Sequence, residues 1–538
     1  MSPPVQTPAL APQPPPEIAP AQPRVDERLL WILSGLIWFA GLSLALRPEA
    51  ALRGRPLTED GFFSLAVARQ LALGHGLTID GVHWVNGFQP LFTVVCALPF
   101  AWVGGDRAGG LRGVLVLHAL VHACGAWACG LLARDAVTGV QRRRLRQALG
   151  TAAYALSPAI FLTTFNGLET GAVLALLAWI WRYWQVTGGQ TLRQLATAGA
   201  LLGLLVLTRI DAALSVVIVT VGVRVSGDGA WWGRVQRAAA IALPAGLVSG
   251  PWWLYNYLGF GSLMPTSGRA LTDVGVTAER TLTMLQSVQM SLVPLTYVGA
   301  WESFWLVPVR LLLIVLIVVG VRRARRDGDL AQATPGVDRR AARTGQFARW
   351  IGMTLLVFVG YYWATSAASW FYGRYLAAIG VPMTVYSAIA LSALGGWQAR
   401  LRGIALTVAA GALLFGVWRL HTSARFAGAV YVDDQLALVL EHVPPGDAVA
   451  AGQTGTLGFF RERVVNLDGK VNRDALVFRH DIAGYLRRTN VQWFCDWPHF
   501  ATRYLADPPG KNGWKLVAQK GQFQLYHRPT DDPTPAER

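Results

Sequence analysis

Thr58-Glu59-Asp60-Gly61-Phe62-Phe63 is an acidic pair set just beyond the first apolar segment (28–46), and it continues through Gly74-His75-Gly76 to Asn86-Gly87-Phe88-Gln89-Pro90. Carboxylates at a bilayer surface are costly to desolvate, so a pair held there calls for a reason. Between Asp60 and Leu73, Phe62, Phe63, Leu65, Ala66, Val67 and Leu71 recur at helical spacing, with Arg69 and Gln70 polar. That pattern predicts a helix lying in the interface plane with Asp60 at its amino end. Two compatible readings follow: Asp60 caps the helix while Glu59 complements the dipole, or the cap position holds a working carboxylate rigidly.

The rest of the chain fits that setting. Over half of its 538 residues (53%) are hydrophobic, and a mean hydropathy of +0.36 points to a polytopic membrane protein. The net charge of +17 is gathered in short loops: Arg142, Arg143, Arg144 and Arg146; Arg322, Arg323, Arg325 and Arg326; Arg339, Arg340 and Arg343. Such clusters mark cytoplasmic loops, and the aromatic-interleaved basic patches of a nucleic-acid face are absent. The 22 Trp suit interfacial belts or a lipid groove. Cys96, Cys124, Cys129 and Cys495 form no CxxC pair, which argues against zinc, redox or disulfide chemistry, and Cys124 and Cys129 read as helix packing residues.

Residues 1–27, rich in Pro and Ala, read as a disordered cytoplasmic tail without a cleavable signal peptide. Spans of about 17–25 apolar residues are expected near 28–46, 108–133, 147–165, 170–187, 194–209, 211–225, 238–256, 303–321, 350–367, 376–395 and 403–420, about eleven in all. The stretch 89–104, with Pro90 and Pro99, reads as interfacial or re-entrant within an outer loop, 47–107. Arg-rich loops at 134–146 and 322–349 place the amino terminus inside and the Asp60 loop and carboxyl end outside. From 421 to 530 short strand-like runs alternate with helix-like ones, and 515–518 and 523–526 flank Gly521 as a hairpin. This predicts a small extracytoplasmic α/β domain, followed by a frayed tail, 531–538.

Further polar groups sit at outer helix ends. Glu169, in Asn166-Gly167-Leu168-Glu169-Thr170, either caps a helix or faces Asp60 across a cavity, orienting an acceptor or helping to hold Mg²⁺ or Mn²⁺. Arg209 and Asp211 either pair at a helix end or present the guanidinium to an anionic phosphate. Trp370-Phe371-Tyr372-Gly373-Arg374-Tyr375 is an aromatic belt whose Arg374 can bind a lipid phosphate or snorkel to head groups. The long Gly-punctuated stretch Tyr257 to Ala300 reads as a lid over a substrate cavity. His118 and His122, four apart on one helix, read as packed rather than ligating. No P-loop, GxSxG or HExxH occurs.

In their order, the segments 58–63, 74–76, 86–90, Gly167-Leu168-Glu169-Thr170, Arg209-Ile210-Asp211, Tyr257-Leu258-Gly259-Phe260-Gly261-Ser262-Leu263-Met264-Pro265-Thr266 and Gly373-Arg374-Tyr375-Leu376 resemble the GT-C superfamily of polytopic glycosyltransferases. The likeness extends to its protein mannosyltransferase-like, aminoarabinose transferase and mycobacterial arabinofuranosyltransferase members and covers most of 28–420. It implies an inverting transferase of the bacterial plasma membrane. The expected donor is a polyprenyl-phosphate-linked sugar, and the acceptor an extracytoplasmic glycan, glycolipid or protein. It implies Asp60 as catalytic base with Glu59 adjacent, Glu169 as the acidic residue of the next outer loop, and Arg209 and Arg374 at the donor phosphate. His75, Asn86, Gln89, Asp211, Tyr372 and Tyr375 are expected to position the substrates. A metal requirement varies among members. Relatives often place Pro where this chain has Ile210, and that difference bears on the helix break that aims Arg209. The segment 464–469 resembles the outer domain of some members, with a role in acceptor binding expected. The competing classes are a transporter or lipid flippase, which calls for mid-bilayer charges and inverted repeats not seen here, and a non-catalytic scaffold.

Overall fold

Long helices dominate the chain from Val25 to Thr422, and a five-stranded sheet follows them. The computed structural model describes residues 25–138, 142–226, 230–293, 306–330, 335–366, 368–394, 398–422, 429–505 and 513–529. Most of the amino-terminal tail, the whole carboxyl tail 531–538, the start of the 303–321 span and the end of the Tyr257–Ala300 stretch lie outside them. Two described helices, Arg107–Asp135 and Arg402–Thr422, are long and apolar enough to cross a membrane.

Small residues let helices approach closely where packing is tightest. Leu192–Thr208 lies against Trp231–Phe260, and a Cβ at Gly199 would overlap the Ile241 carbonyl. The larger apolar cluster gathers Trp181, Trp184, Leu202 and Tyr372, while a second joins Phe62, Phe92 and Phe100 to Phe459 of the carboxyl domain. Apolar side chains therefore span the junction between the helical part and the sheet domain. His118 and His122 are packed: they contact the Val114 and Ala155 carbonyls and neighbouring aromatic rings. Cys129 is buried as a packing residue, whereas Cys124 is exposed.

Several elements differ from expectation. The run 147–165 is broken: Arg143–Ala155 ends, Ser157 caps a new helix through the Ile160 N–H, and Pro158 opens Pro158–Thr164. The Ser-Pro pair is the cause, since proline excludes helical geometry at the residue before it. The stretch from Tyr257 is not a bare loop, because it completes Trp231–Phe260 and adds Thr266–Leu271 and Ala278–Leu292. The helix Glu59–Ala72 does not float on an interface. Gly61 through Ala68 are all buried, packed against Pro90–Trp102 and the carboxyl domain's Gly455–Phe460.

The sheet comprises β1 (Val449–Ala451), β2 (Val464–Asn466), β3 (Trp493–Asp496), β4 (Lys515–Lys520) and β5 (Phe523–His527) in the order β2-β1-β3-β5-β4. β1 runs parallel to β2 and β3, whereas β5 runs antiparallel to β3 and β4. The hairpin forms about Gly521, whose φ of +55° suits glycine. The segments that follow β1 and β2 carry Gly455 and Lys470, which meet Glu59 and Asp60 at the start of Glu59–Ala72.

Candidate active site

Asp60 occupies the second position of its helix, and Thr58 is the cap. Thr58 Oγ1 accepts the Gly61 N–H at 3.4 Å and donates to the Asn166 carbonyl at 3.0 Å. The cap reading of Asp60 is thereby corrected, and its carboxylate is free to face inward. Thr58 N–H also donates to Asn166 O at 3.0 Å, which ties the turn before Glu59–Ala72 to the loop carrying Glu169.

Asp60 opens on a cavity of about 460 Å³ that Gln89, Glu169, Arg209, Asp211, Arg374, Tyr375 and Lys470 also line. Arg374 Nη1 lies 3.2 Å from Asp60 Oδ2, and Lys470 Nζ lies 3.4 Å from Oδ1. Burial alone would push the Asp60 carboxyl up, but the adjacent Lys470 and Arg374 outweigh it and hold the group below its ordinary range. Lys470 also meets Asp468 Oδ2 at 3.2 Å. Burial favours its neutral form, yet the two carboxylates raise it and keep it charged. Phe371 lies against both cations, 4.5 Å from the Arg374 guanidinium and 5.7 Å from the Lys470 ammonium.

A second cluster forms the adjoining wall. Arg209 Nε donates to Asp211 Oδ2 at 2.8 Å and Nη1 lies 3.7 Å from Glu169 Oε1. Its Nη2 reaches Tyr362 Oη at 3.3 Å, and the Tyr362 hydroxyl in turn donates to Asp211. Tyr375 stacks on Tyr362 with ring centres 4.1 Å apart and lies 4.9 Å beneath the Arg209 guanidinium. Glu169 stands at a helix start without making a cap bond, and it faces Arg209 rather than Asp60. The break before Asp211 forms without proline. Thr208 ends the helix, Arg209 is extended (φ −157°, ψ 117°), and the Ile210 N–H is taken by Gln89 Oε1 at 3.1 Å. A side chain 121 positions away thus settles the geometry that the sequence left open at Ile210.

Four expected site residues stand outside the cavity walls. Glu59 points into the carboxyl domain and accepts the Gly455 N–H, the Thr456 N–H at 3.0 Å and Thr456 Oγ1 at 2.6 Å. Burial pushes its carboxyl up against those three donors. Asn86 is fully buried, with Nδ2 on Asn256 Oδ1 at 2.8 Å and Oδ1 accepting the Thr266 hydroxyl at 2.9 Å. Thr266 Oγ1 also lies 2.8 Å from the Lys470 carbonyl, and a Cβ at Gly87 would overlap that same oxygen. Asn86 and Gly87 therefore fix the backbone carrying Lys470. His75 bonds Gln70 at 2.7 Å in an exposed turn, and Tyr372 is buried with its hydroxyl toward the Ser366 carbonyl. Sequence reasoning missed Lys470 and Tyr362. The one available signal for Lys470 was its place directly after the 464–469 segment.

Among the described residues no three His, Cys, Asp or Glu side chains converge to hold a metal ion. The carboxylates at the cavity each face a guanidinium or ammonium group, so the expected Asp60–Glu169 cation site does not fit the donor set present.

No family model and no curated protein matches the chain. Among solved structures it is similar to ArnT from Cupriavidus metallidurans bound to undecaprenyl phosphate, with a TM-score of 0.54 at 13% identity, covering 94% of this chain and 98% of that one. The apo state of ArnT gives a TM-score of 0.51 at 13% identity, covering 93% and 97%. Arabinofuranosyltransferase AftD from Mycobacteria is similar at a TM-score of 0.49 and 14% identity, over 94% of this chain and 40% of that one. The fold is GT-C-like, a helical body with a small carboxyl-terminal sheet domain, and the ArnT likeness runs through both parts.

Proposed function

We propose that the chain is an inverting glycosyltransferase that moves a sugar from a polyprenyl-phosphate donor to an extracytoplasmic glycan, lipid or protein acceptor. One observation carries the reading: a half-buried carboxylate, Asp60, shares Arg374 and Lys470 with an apolar-rimmed cavity, in a fold like that of ArnT, a structure bound to undecaprenyl phosphate. The setting is a bacterial plasma membrane crossed about eleven times, with the amino terminus cytoplasmic and the sheet domain outside.

In this mechanism the acceptor hydroxyl gives its proton to Asp60 and its oxygen forms a bond to the anomeric carbon. The bond from that carbon to the phosphate oxygen breaks on the opposite face, and the phosphate leaves with the electron pair. Arg374 and Lys470 take up the charge that develops on the phosphate. Arg209, neutralised by Glu169 and Asp211, acts through Tyr375 and its backbone contact with Arg374 O at 3.5 Å, and so positions Arg374. Leu263, Met264 and Leu271 on the cavity wall offer the apolar lining that a lipid tail needs. The test is mass spectrometry of envelope glycans in a deletion strain rescued with wild-type or Asp60→Asn protein. A sugar restored by the wild type alone supports the reading. Equal rescue removes Asp60 from catalysis and leaves the transporter and scaffold classes in front.

A further inference from the structure

The far end of the helix that starts beside Glu169 carries a second charged cluster. Arg182 lies thirteen residues after Glu169 in Thr170–Thr187, about 20 Å along the axis at 1.5 Å per residue. There Asp135, with no exposed surface, receives guanidinium groups from four elements: Arg134 at 3.1 Å, Arg182 at 2.8 Å, Arg340 at 3.2 Å, and Arg143. A carboxylate offers about four lone-pair sites, and here five N–H donors fill them. Arg146 packs against the same knot through the Arg134 carbonyl. Gln185 locks the cluster, accepting from Arg182 and donating to the Leu132 carbonyl and Thr344 Oγ1.

One negative charge thus faces four positive ones, and among the described residues no other carboxylate pairs with these arginines. Like charges held this close and partly dry repel unless a further anion joins them. Three of the side chains remain reachable, with Arg134, Arg143 and Arg340 being 28, 26 and 35% exposed. The buried Nε of Arg143 has no hydrogen-bond partner among the described residues. A phosphodiester supplies what is missing: a single charge with oxygens that accept forked guanidinium donors. We propose that this arginine knot is a binding site for the phosphate of an anionic phospholipid of the cytoplasmic leaflet, with Arg143 and Arg340 as its ligating residues. The inference rests on the membrane embedding proposed above, not on the transfer reaction.

The experiment uses the full-length protein extracted in detergent and titrated with phosphatidylglycerol or phosphatidylcholine. Bound lipid is read by native mass spectrometry and the thermal midpoint by tryptophan fluorescence. Phosphatidylglycerol is expected to be retained and to raise the midpoint, and phosphatidylcholine is not. Arg143→Gln/Arg340→Gln, which leaves Arg134 and Arg182 on Asp135, is expected to weaken retention by about tenfold or more. Unchanged retention in that variant overturns the site. Should the variant fail to fold, equal response of the wild type to both lipids overturns it instead. Inorganic phosphate reproducing the full midpoint shift also overturns it, in favour of a free anion. Wild-type protein that stays monodisperse without detergent overturns the membrane setting itself, a result distinct from loss of the lipid site.

Discussion

Replacing Lys470 with glutamine removes one of the two cations on Asp60 while keeping a side chain of similar reach. Under the proposed reaction the ammonium stabilises the departing phosphate, and deleting one such donor typically costs about 10²-fold or more in kcat, about 2.7 kcal/mol at tenfold per 1.36 kcal/mol. The acid side of the pH profile moves as well. Asp60 must be ionised to accept a proton, and its folded pKa is held below the ordinary range, first by Lys470 and then by Arg374, against the upward push of burial. Activity is therefore present above that depressed value and lost as pH falls through it. Without Lys470 the value rises, so the acid limb of kcat/KM shifts to higher pH. The assay is radiolabelled sugar transfer by full-length protein in nanodiscs, from pH 4 to 8, with the thermal midpoint as a folding control. A folded variant with near-wild-type kcat and an unmoved acid limb would refute the role given to Lys470.

Asp60→Asn should lower turnover by about 10²–10⁴-fold while donor retention, measured by native mass spectrometry, stays close to wild type. Glu59→Ala orphans two buried N–H groups and the Thr456 hydroxyl, so denaturation should show a loss of about 1–3 kcal/mol, with turnover falling as Lys470 loses its frame. Gly87→Ala places a methyl against the Lys470 carbonyl and should reduce kcat more than donor KM, because the ammonium is moved rather than removed. Gln89→Leu leaves the Ile210 N–H unpaired; transfer assays should show reduced kcat, and Ile210→Pro in that background should restore part of it by dispensing with the N–H.

How much of this was legible in the sequence depends on the distance over which the information is spread. Amphipathic and apolar runs announced Glu59–Ala72 and most long helices, because a period near 3.6 is a local property. The hairpin about Gly521 and the Arg209–Asp211 pair were readable for the same reason, being near neighbours. Lys470 lies 410 residues from Asp60, in a loop with no periodicity, and only the folded junction brings the two together. Glu59 and Asp60 are adjacent and chemically alike, yet consecutive helical positions point about 100° apart. One therefore enters the cavity and the other enters the carboxyl domain. No pattern within residues 58–63 could have told which was which without knowing where Gly455 would dock.

Under the proposed reaction, the charge arrangement at the cavity lets a carboxylate made less basic by its neighbours serve as the base. Arg209, matched by Glu169 and Asp211, is only 8% exposed, whereas Arg374 and Lys470 are 20% and 17% exposed and stand more open to a donor phosphate, and Asp60 shares both. A phosphate entering beside them draws on the same positive charge, which weakens their hold on Asp60 and raises its affinity for a proton. As the acceptor proton arrives, the carboxylate becomes neutral and the two cations turn wholly to the leaving phosphate. Negative charge passes from Asp60 to the phosphate while the positive groups stay fixed, so little reorganisation is needed along the reaction. Because Arg374 comes from the helical body and Lys470 from the sheet domain, this balance exists only while the two parts are docked. The Glu59 bonds to Gly455 and Thr456 are therefore as necessary to the proposed base as its own cations.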